Sequence, residues 1–308
     1  MTNSLNTIAY RAGLLGRFEG YVDNAKIVLS RWSKLHSEVK TIALGVELSE
    51  LLLSARLLGL VTAVEVLLND VLFDVFVSYP FKLGNRQISI QDLNSSGSFL
   101  PSFKRISSVV VNDLSYRSFK DYLEEWQKFV SPLQSIKEEQ VKSFIEIKAT
   151  RDLYVHSNGK LNDIYTRKAG EKARRPNSKG KIPLDESYIH YASGLAEDII
   201  ISIEREILSK YAHCTKEAVF REMWNATCCG ERLNFDVQWE ITNKPYYKKD
   251  ISWPWSSSEK ALFDFFLKVF HGSSTEITTD IEYSLYRWSA DTAEGKVIRS
   301  WLDNPFYI

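Results

Sequence analysis

The segment Leu51–Phe76 constrains the fold of this chain more than any other. Across Val46–Val77, Leu, Val and Ala recur around much of the helical circumference rather than along one stripe. A long helix here, or two in succession, must therefore be covered on most sides. Arg56, Glu65, Asp70 and Asp74 interrupt the stretch, more charge than a bilayer-spanning helix ordinarily carries. It reads as a central core helix. Tyr79-Pro80 closes it, because proline disfavours helical geometry in the residue before it.

The other elements are predominantly helical in pattern. Tyr21–His36 carries Val22, Ile27, Val28 and Trp32 at helical spacing. Asn94–Ser98 is a loop, and Ile106–Val130 reads as helical, with Phe119, Tyr122, Leu123 and Trp126 on one side. Ser135 followed by Glu138 forms a capping-box pattern, from which a helix runs through Val141, Phe144, Ile145 and Ile147 to His156. Asn158-Gly159 is its expected stop, since glycine readily takes the left-handed conformation that closes a helix. Asp185–Tyr211 is a further amphipathic helix, its apolar side marked by Tyr188, Tyr191, Leu195, Ile199, Ile203 and Ile207.

Beyond Ala212 the composition shifts, and six of the eight tryptophans lie there. Asn234–Thr242 alternates like a strand, while Glu259–Phe270 and Asp280–Trp288 look helical. The expected architecture is mainly α: a helical domain over residues 1–212, then a small α+β, aromatic-rich region over 213–308 with no assigned role. A compact aromatic core explains those tryptophans more simply than base stacking does.

At 308 residues, 44% apolar and 25% charged, the chain has the composition of an ordinary soluble globular protein. Its formal net charge is zero, so a nucleic-acid site has to come from local clustering of cations. Lys160–Lys181 supplies such a cluster, eight cations against Asp163 and Glu171. The stretch reads equally as a solvated loop. Cys214 and the adjacent Cys228-Cys229 have neither zinc-site spacing nor an even count, which suits a reducing cytoplasm. Met1–Tyr10 shows no secretory signal, so a cytoplasmic protein with no membrane partner is expected.

Arg151-x4-His156 carries little weight as a bare pair. Its surroundings carry more: the run Glu146-Ile-Lys-Ala-Thr-Arg151-Asp152-Leu-Tyr-Val-His156-Ser-Asn158-Gly159-Lys-Leu-Asn162-Asp-Ile-Tyr165 resembles the signature of the HEPN superfamily of ribonucleases, of RiboL-PSP-HEPN or abortive-infection type. In that family a late helix ends in Arg-polar-x3-His, followed by a small polar turn and an Asn-x-x-Tyr-like continuation. The order of helices is similar over about residues 20–211, and the resemblance does not reach the C-terminal third. Asn158 stands where toxins silenced by a nucleotidyltransferase antitoxin tend to have tyrosine.

The resemblance implies a HEPN-like bundle and a metal-independent endoribonuclease, serving as a toxin or antiviral defence effector. It implies a homodimer with motifs from both protomers in one composite cleft, RNA as substrate, no cofactor and no metal, and an antitoxin or defence-system component as further partner. A non-catalytic scaffold or RNA-binding regulatory subunit is the alternative.

Chemistry is consistent with these residue types. RNA cleavage without metal needs a proton removed from a 2′-hydroxyl, an anionic phosphorane stabilised and the leaving 5′-oxygen protonated. Imidazole transfers protons near neutral pH, and guanidinium offers phosphate a planar fork of donors. His156 is thus the candidate acid or base, Arg151 the phosphate ligand, and Asp152 the residue orienting either one. Asn158 is a candidate hydrogen-bond donor to substrate, and Lys160, Arg167 and Lys168 are candidates for tracking the RNA backbone.

Residues five apart lie about 140° apart around a helix, so Arg151 and His156 are not expected on one face. Convergence would require unwinding at Asn158-Gly159 or a second copy. The simpler readings are surface ion-pairing among Arg151, Asp152 and Glu146, with His156 favoured by the helix dipole. Glu65 and Asp70 are expected to face solvent or a local partner rather than Arg151, and Tyr154 and Tyr165 to pack with their hydroxyls hydrogen-bonded.

Overall fold

The computed structural model of the chain describes residues 5–39, 46–84, 99–235, 239–240, 246–247, 256–271 and 287–308. The chain is mainly helical. Among the described residues its α-helices are α1 (Leu14–Val39), α2 (Val46–Ser78), α3 (Phe99–Ser115), α4 (Phe119–Phe129), α5 (Glu138–Ser157), α6 (Asp163–Ala169), α7 (Glu186–Lys210), α8 (Lys216–Asn225), α9 (Cys228–Arg232), α10 (Ser257–His271) and α11 (Ala293–Asp303). Two compact units result. One comprises Phe18–Leu72 and Val111–Lys210, the other Met1–Arg17, Phe73–Val110 and Tyr211–Ile308.

In the first unit α2 is the axis. Leu57, Leu60, Val61, Val64, Leu67, Leu68, Val71 and Leu72 are buried along it. Helix α4 fastens to it by polar contacts as well as by packing. The Trp126 indole N–H donates to the Leu68 carbonyl at 3.0 Å, and the Tyr122 hydroxyl donates to Asn69 Oδ1 at 2.8 Å. Such bonds let large amphipathic rings enter a core without stranding their polar ends. The span Leu48–Ser78 is long and apolar enough to cross a membrane, and half of its most apolar window is buried in the fold. Leu48, Leu51, Leu58 and Val66 stay exposed.

Two local expectations need correction. Ile106–Val130 is not one helix: α3 ends at Ser115 and α4 begins at Phe119. The Ser118 hydroxyl accepts the Asp121 backbone N–H at 3.2 Å, a local cap that competes with helix continuation. The start of α5 also lies later than Ser135. Lys137 occupies the N-cap, and its backbone N–H donates to Gln140 Oε1 at 3.0 Å, so glutamine rather than Glu138 supplies the reaching-back half of the cap. The expected loop at Asn94–Ser98 lies outside the described residues.

The second unit has its own aromatic core. Ile8, Ala9 and Ala12 of a 3-10 stretch, Leu5–Gly13, join Phe220, Trp224, Phe265, Phe266, Val297, Ile298 and Trp301. The rings meet edge to face, Phe220 on Phe266 at 5.7 Å and Phe265 on Trp301 at 5.5 Å, the arrangement that ring quadrupoles favour. Arg11 enters this unit paired through both terminal nitrogens to Glu222, each at 2.7 Å. Trp224 and Trp301 are therefore core residues. Of the expected strand, Trp239–Glu240 (β1) pairs antiparallel with Tyr246–Tyr247 (β2), Trp239 opposite Tyr247, while residues 236–238 and 241–245 lie outside the described residues. Most of the expected Asp280–Trp288 helix, residues 280–286, lies outside them as well.

Candidate active site

The Arg151–His156 segment forms the last turns of α5, and the chain after it determines how that helix stops. Asn158 sits in the left-handed region (φ 48°) and Gly159 follows it there (φ 77°). The Gly159 N–H donates back to the Leu153 carbonyl at 3.2 Å. From this turn the backbone runs out through Lys160 and returns at Lys181, the two forming an isolated antiparallel bridge. Leu161 N–H donates to Gly180 at 3.0 Å, and Ile182 N–H to Gly159 at 2.9 Å. The Tyr154 hydroxyl adds a bond to the Ile182 carbonyl at 2.7 Å.

Between these two ends the basic stretch is anchored from beneath. Glu146 is buried, and its carboxylate accepts four hydrogen bonds: from Thr150 Oγ1 at 2.7 Å, from the Tyr165 and Tyr188 hydroxyls at 2.8 Å each, and from Arg174 Nε at 3.0 Å. Arg174 also donates to the Pro183 carbonyl at 2.7 Å and lies over the Tyr188 ring, 3.5 Å from its centre. The first and last residues of the quoted run, Glu146 and Tyr165, are thus hydrogen-bonded to each other. Tyr165 is a packing residue with a satisfied hydroxyl. Glu146 pairs with Arg174 in the interior, which corrects the surface pairing expected with Arg151.

Arg151 and His156 border one cavity of about 470 Å³ without any break in α5 before Asn158. Unwinding is not needed to bring them to one place. Lys148 and Asp152 fall in the arc between them and border the cavity too, which is closed on its other side by Glu65, Asn69 and Tyr122. Residues 140° apart can share a concave site when the surface between them is also part of it.

Arg151 is held by Glu65 of α2. Its Nη2 lies 3.1 Å from Oε1 and 2.9 Å from Oε2, which corrects the expectation that Glu65 faces elsewhere. Its Nε is buried, 3.2 Å from Asp152 Oδ1 but without hydrogen-bond alignment. Asp152 Oδ2 accepts from Lys168 at 3.0 Å. Lys148 touches the same Glu65 carboxylate. Burial and the neighbouring Arg151 guanidinium push the Lys148 ammonium down to about 8, with Asp152 opposing them; the Glu65 carboxylate in contact also favours the charged form. His156 is exposed at the cavity edge, and among the described residues its ring has no hydrogen-bond partner.

The other sequence candidates divide. Arg167 and Lys168 border a second cavity of about 510 Å³, which shares Tyr116, Arg117, Phe119, Lys148 and Asp152 with the first. Asn158 belongs to the helix stop, its side-chain oxygen 3.4 Å from Lys181 Nζ. Lys160 is exposed at the base of the return and borders neither cavity. Sequence reasoning missed Lys148 and Arg117. Lys148 could have been found by stepping one turn back from Asp152 along α5, whereas Arg117 sits on the α3–α4 turn, within a stretch whose apolar pattern is helical throughout.

Among the described residues no group of three or more His, Cys, Asp or Glu side chains is placed to hold a metal ion. No family model, curated protein or solved structure matches the chain.

Proposed function

We propose that this chain is a HEPN-like, metal-independent endoribonuclease acting as a toxin or antiviral defence effector in the cytoplasm. The observation carrying this reading is the single cavity bordered by Arg151, Lys148, Asp152 and His156. In the proposed reaction His156 takes the proton from a 2′-hydroxyl or delivers one to the leaving 5′-oxygen. The 2′-oxygen bonds to phosphorus, the bond from phosphorus to the 5′-oxygen breaks, and the ends left are a 2′,3′-cyclic phosphate and a 5′-hydroxyl. Arg151, with Nη2 held by Glu65 and Nε buried beside Asp152, has Nη1 to offer the phosphate and adds its full charge. Lys148 adds positive charge where the phosphorane accumulates negative charge.

The proposed active species is a homodimer with a composite site. Exposed apolar side chains on either side of the histidine in sequence, Val155, Leu161 and Ile164, support a protein surface coming against this region. The second reading is a non-catalytic RNA-binding or scaffold subunit. It is favoured by one specific observation: Arg151 already has a carboxylate partner with which a phosphate must compete.

Incubation of the purified protein with total RNA in EDTA separates the two readings. The expected result is cleavage leaving 5′-hydroxyl ends, lost in both Arg151→Ala and His156→Ala. No cleavage by wild type, or equal cleavage by both variants, defeats the catalytic reading.

A further inference from the structure

The second cavity brings in Arg117, Arg167 and Tyr116, side chains that the proposed reaction at Arg151 and His156 does not use. Arg117, Lys120, Lys148, Arg167 and Lys168 border it against one carboxylate, Asp152. Among the described residues, neither the Arg117 nor the Arg167 guanidinium has a hydrogen-bond or ion-pair partner. Arg151 and Arg174, by contrast, are paired to Glu65 and Glu146. Two arginines with unpaired guanidinia lining one concavity make a ready site for an anion with several oxygens. The first residues of α4, Phe119 and Lys120, also line it, and they bring the partial positive charge of that helix end.

Tyr116 stands at the rim of both cavities and is 89% exposed. A large ring left almost wholly in water, with no core to join, offers a face to another flat group. Beneath it Phe119 and Ile145 give the cavity an apolar floor. Cations for a phosphate, an apolar floor and an open ring together match one unstacked nucleotide. A base still paired in a duplex has no free face for such a ring.

We propose that this cavity is a nucleotide subsite beside the cleavage site, holding a flanking phosphate on Arg117, Arg167 and Lys168 and stacking its base on Tyr116, so that the strand enters single-stranded. The proposal rests on the endoribonuclease reading for its substrate, and it assigns the specificity of that site. It makes the α3–α4 turn, rather than the outer part of the basic excursion, the main contact to the strand.

Binding of a short fluorescein-labelled single-stranded deoxyoligonucleotide, which lacks the 2′-hydroxyl and cannot be cut, tests this by anisotropy over a salt series. Arg117→Gln/Arg167→Gln should weaken binding at least tenfold. It should also flatten the slope of log affinity against log salt by about 0.7, the loss of one phosphate contact. Tyr116→Ala should weaken binding on the order of tenfold, Tyr116→Phe should retain it, and neither should alter binding of a blunt duplex. These side chains are exposed, so the fold should survive the changes. Wild-type affinity in both the double variant and Tyr116→Ala overturns the proposal, as does failure of the wild-type protein to bind the strand at low salt. The endoribonuclease reading fails separately. If His156→Ala cuts RNA like wild type while the cavity variants lose the strand, the subsite stands and the assigned chemistry falls.

Discussion

Gly159 determines how the motif helix can end. With φ at 77° it occupies a region that side chains rarely adopt, and a Cβ there would come within 2.8 Å of the Tyr154 ring. Gly159→Ala should lower stability by about 1–2 kcal/mol from the backbone term alone, read as a lower urea midpoint. An unchanged midpoint would show that the turn relaxes freely. Lys148 makes a second prediction at this scale. Its folded-state value, about 8, lies below the ordinary 10.5. Between those two pH values Lys148 holds its proton more fully in the unfolded chain than in the folded one, so its own contribution to unfolding free energy rises with pH there, while the buried thiols of Cys214 and Cys229, shifted up, contribute with the opposite sign. The urea-unfolding free energy of wild type should therefore gain on that of Lys148→Met between pH 7 and 9.5. The same pH dependence in both proteins would place the cause elsewhere. Gly159 was legible in the sequence because Asn-Gly after an apolar helix is a local signal. The Glu65–Arg151 pair was not, because its partners are 86 positions apart and no periodicity announces which carboxylate a guanidinium will find.

At the scale of elements, the basic excursion between α5 and α7 is held rather than free. Glu146 and Arg174 fasten its underside, and Lys172 pairs with Glu139 while Lys181 pairs with Glu50. Several of its cations are thus occupied in holding the segment in place, while at the cavity Arg167 is unpaired and Lys168 rests on Asp152. Glu146→Ala would strand Arg174 together with the Tyr165 and Tyr188 hydroxyls. It should destabilise the protein by about 3 kcal/mol and admit protease between Lys160 and Lys181. Wild-type stability with an uncut excursion would contradict the anchoring role. The long helices could be read because apolar periodicity and stop signals agree there, as at Tyr79-Pro80 and Asn158-Gly159. The α3–α4 break was hidden, since one serine cap is a weak signal inside a strong apolar pattern. That hidden turn carries Tyr116 and Arg117.

For the whole molecule, the two units draw on segments far apart in sequence. Residues Met1–Arg17 and Phe73–Val110 group with Tyr211–Ile308, an arrangement fixed by tertiary packing and carried by no composition shift. The composite-site reading predicts a sedimentation mass about twice the 35.5 kDa of one chain, falling toward one chain when Val155 and Ile164 are both changed to Glu. A single-chain mass at micromolar concentration would remove the second protomer from the mechanism. The chemistry itself is tested most directly by the single-turnover rate of His156→Ala on a defined single-stranded RNA in EDTA, with binding of the uncut strand measured in parallel. The expected result is a loss of at least about 100-fold in cleavage with binding kept, the range that removal of a general acid or base produces. Cleavage at the wild-type rate would contradict the assignment of this cavity as an active site.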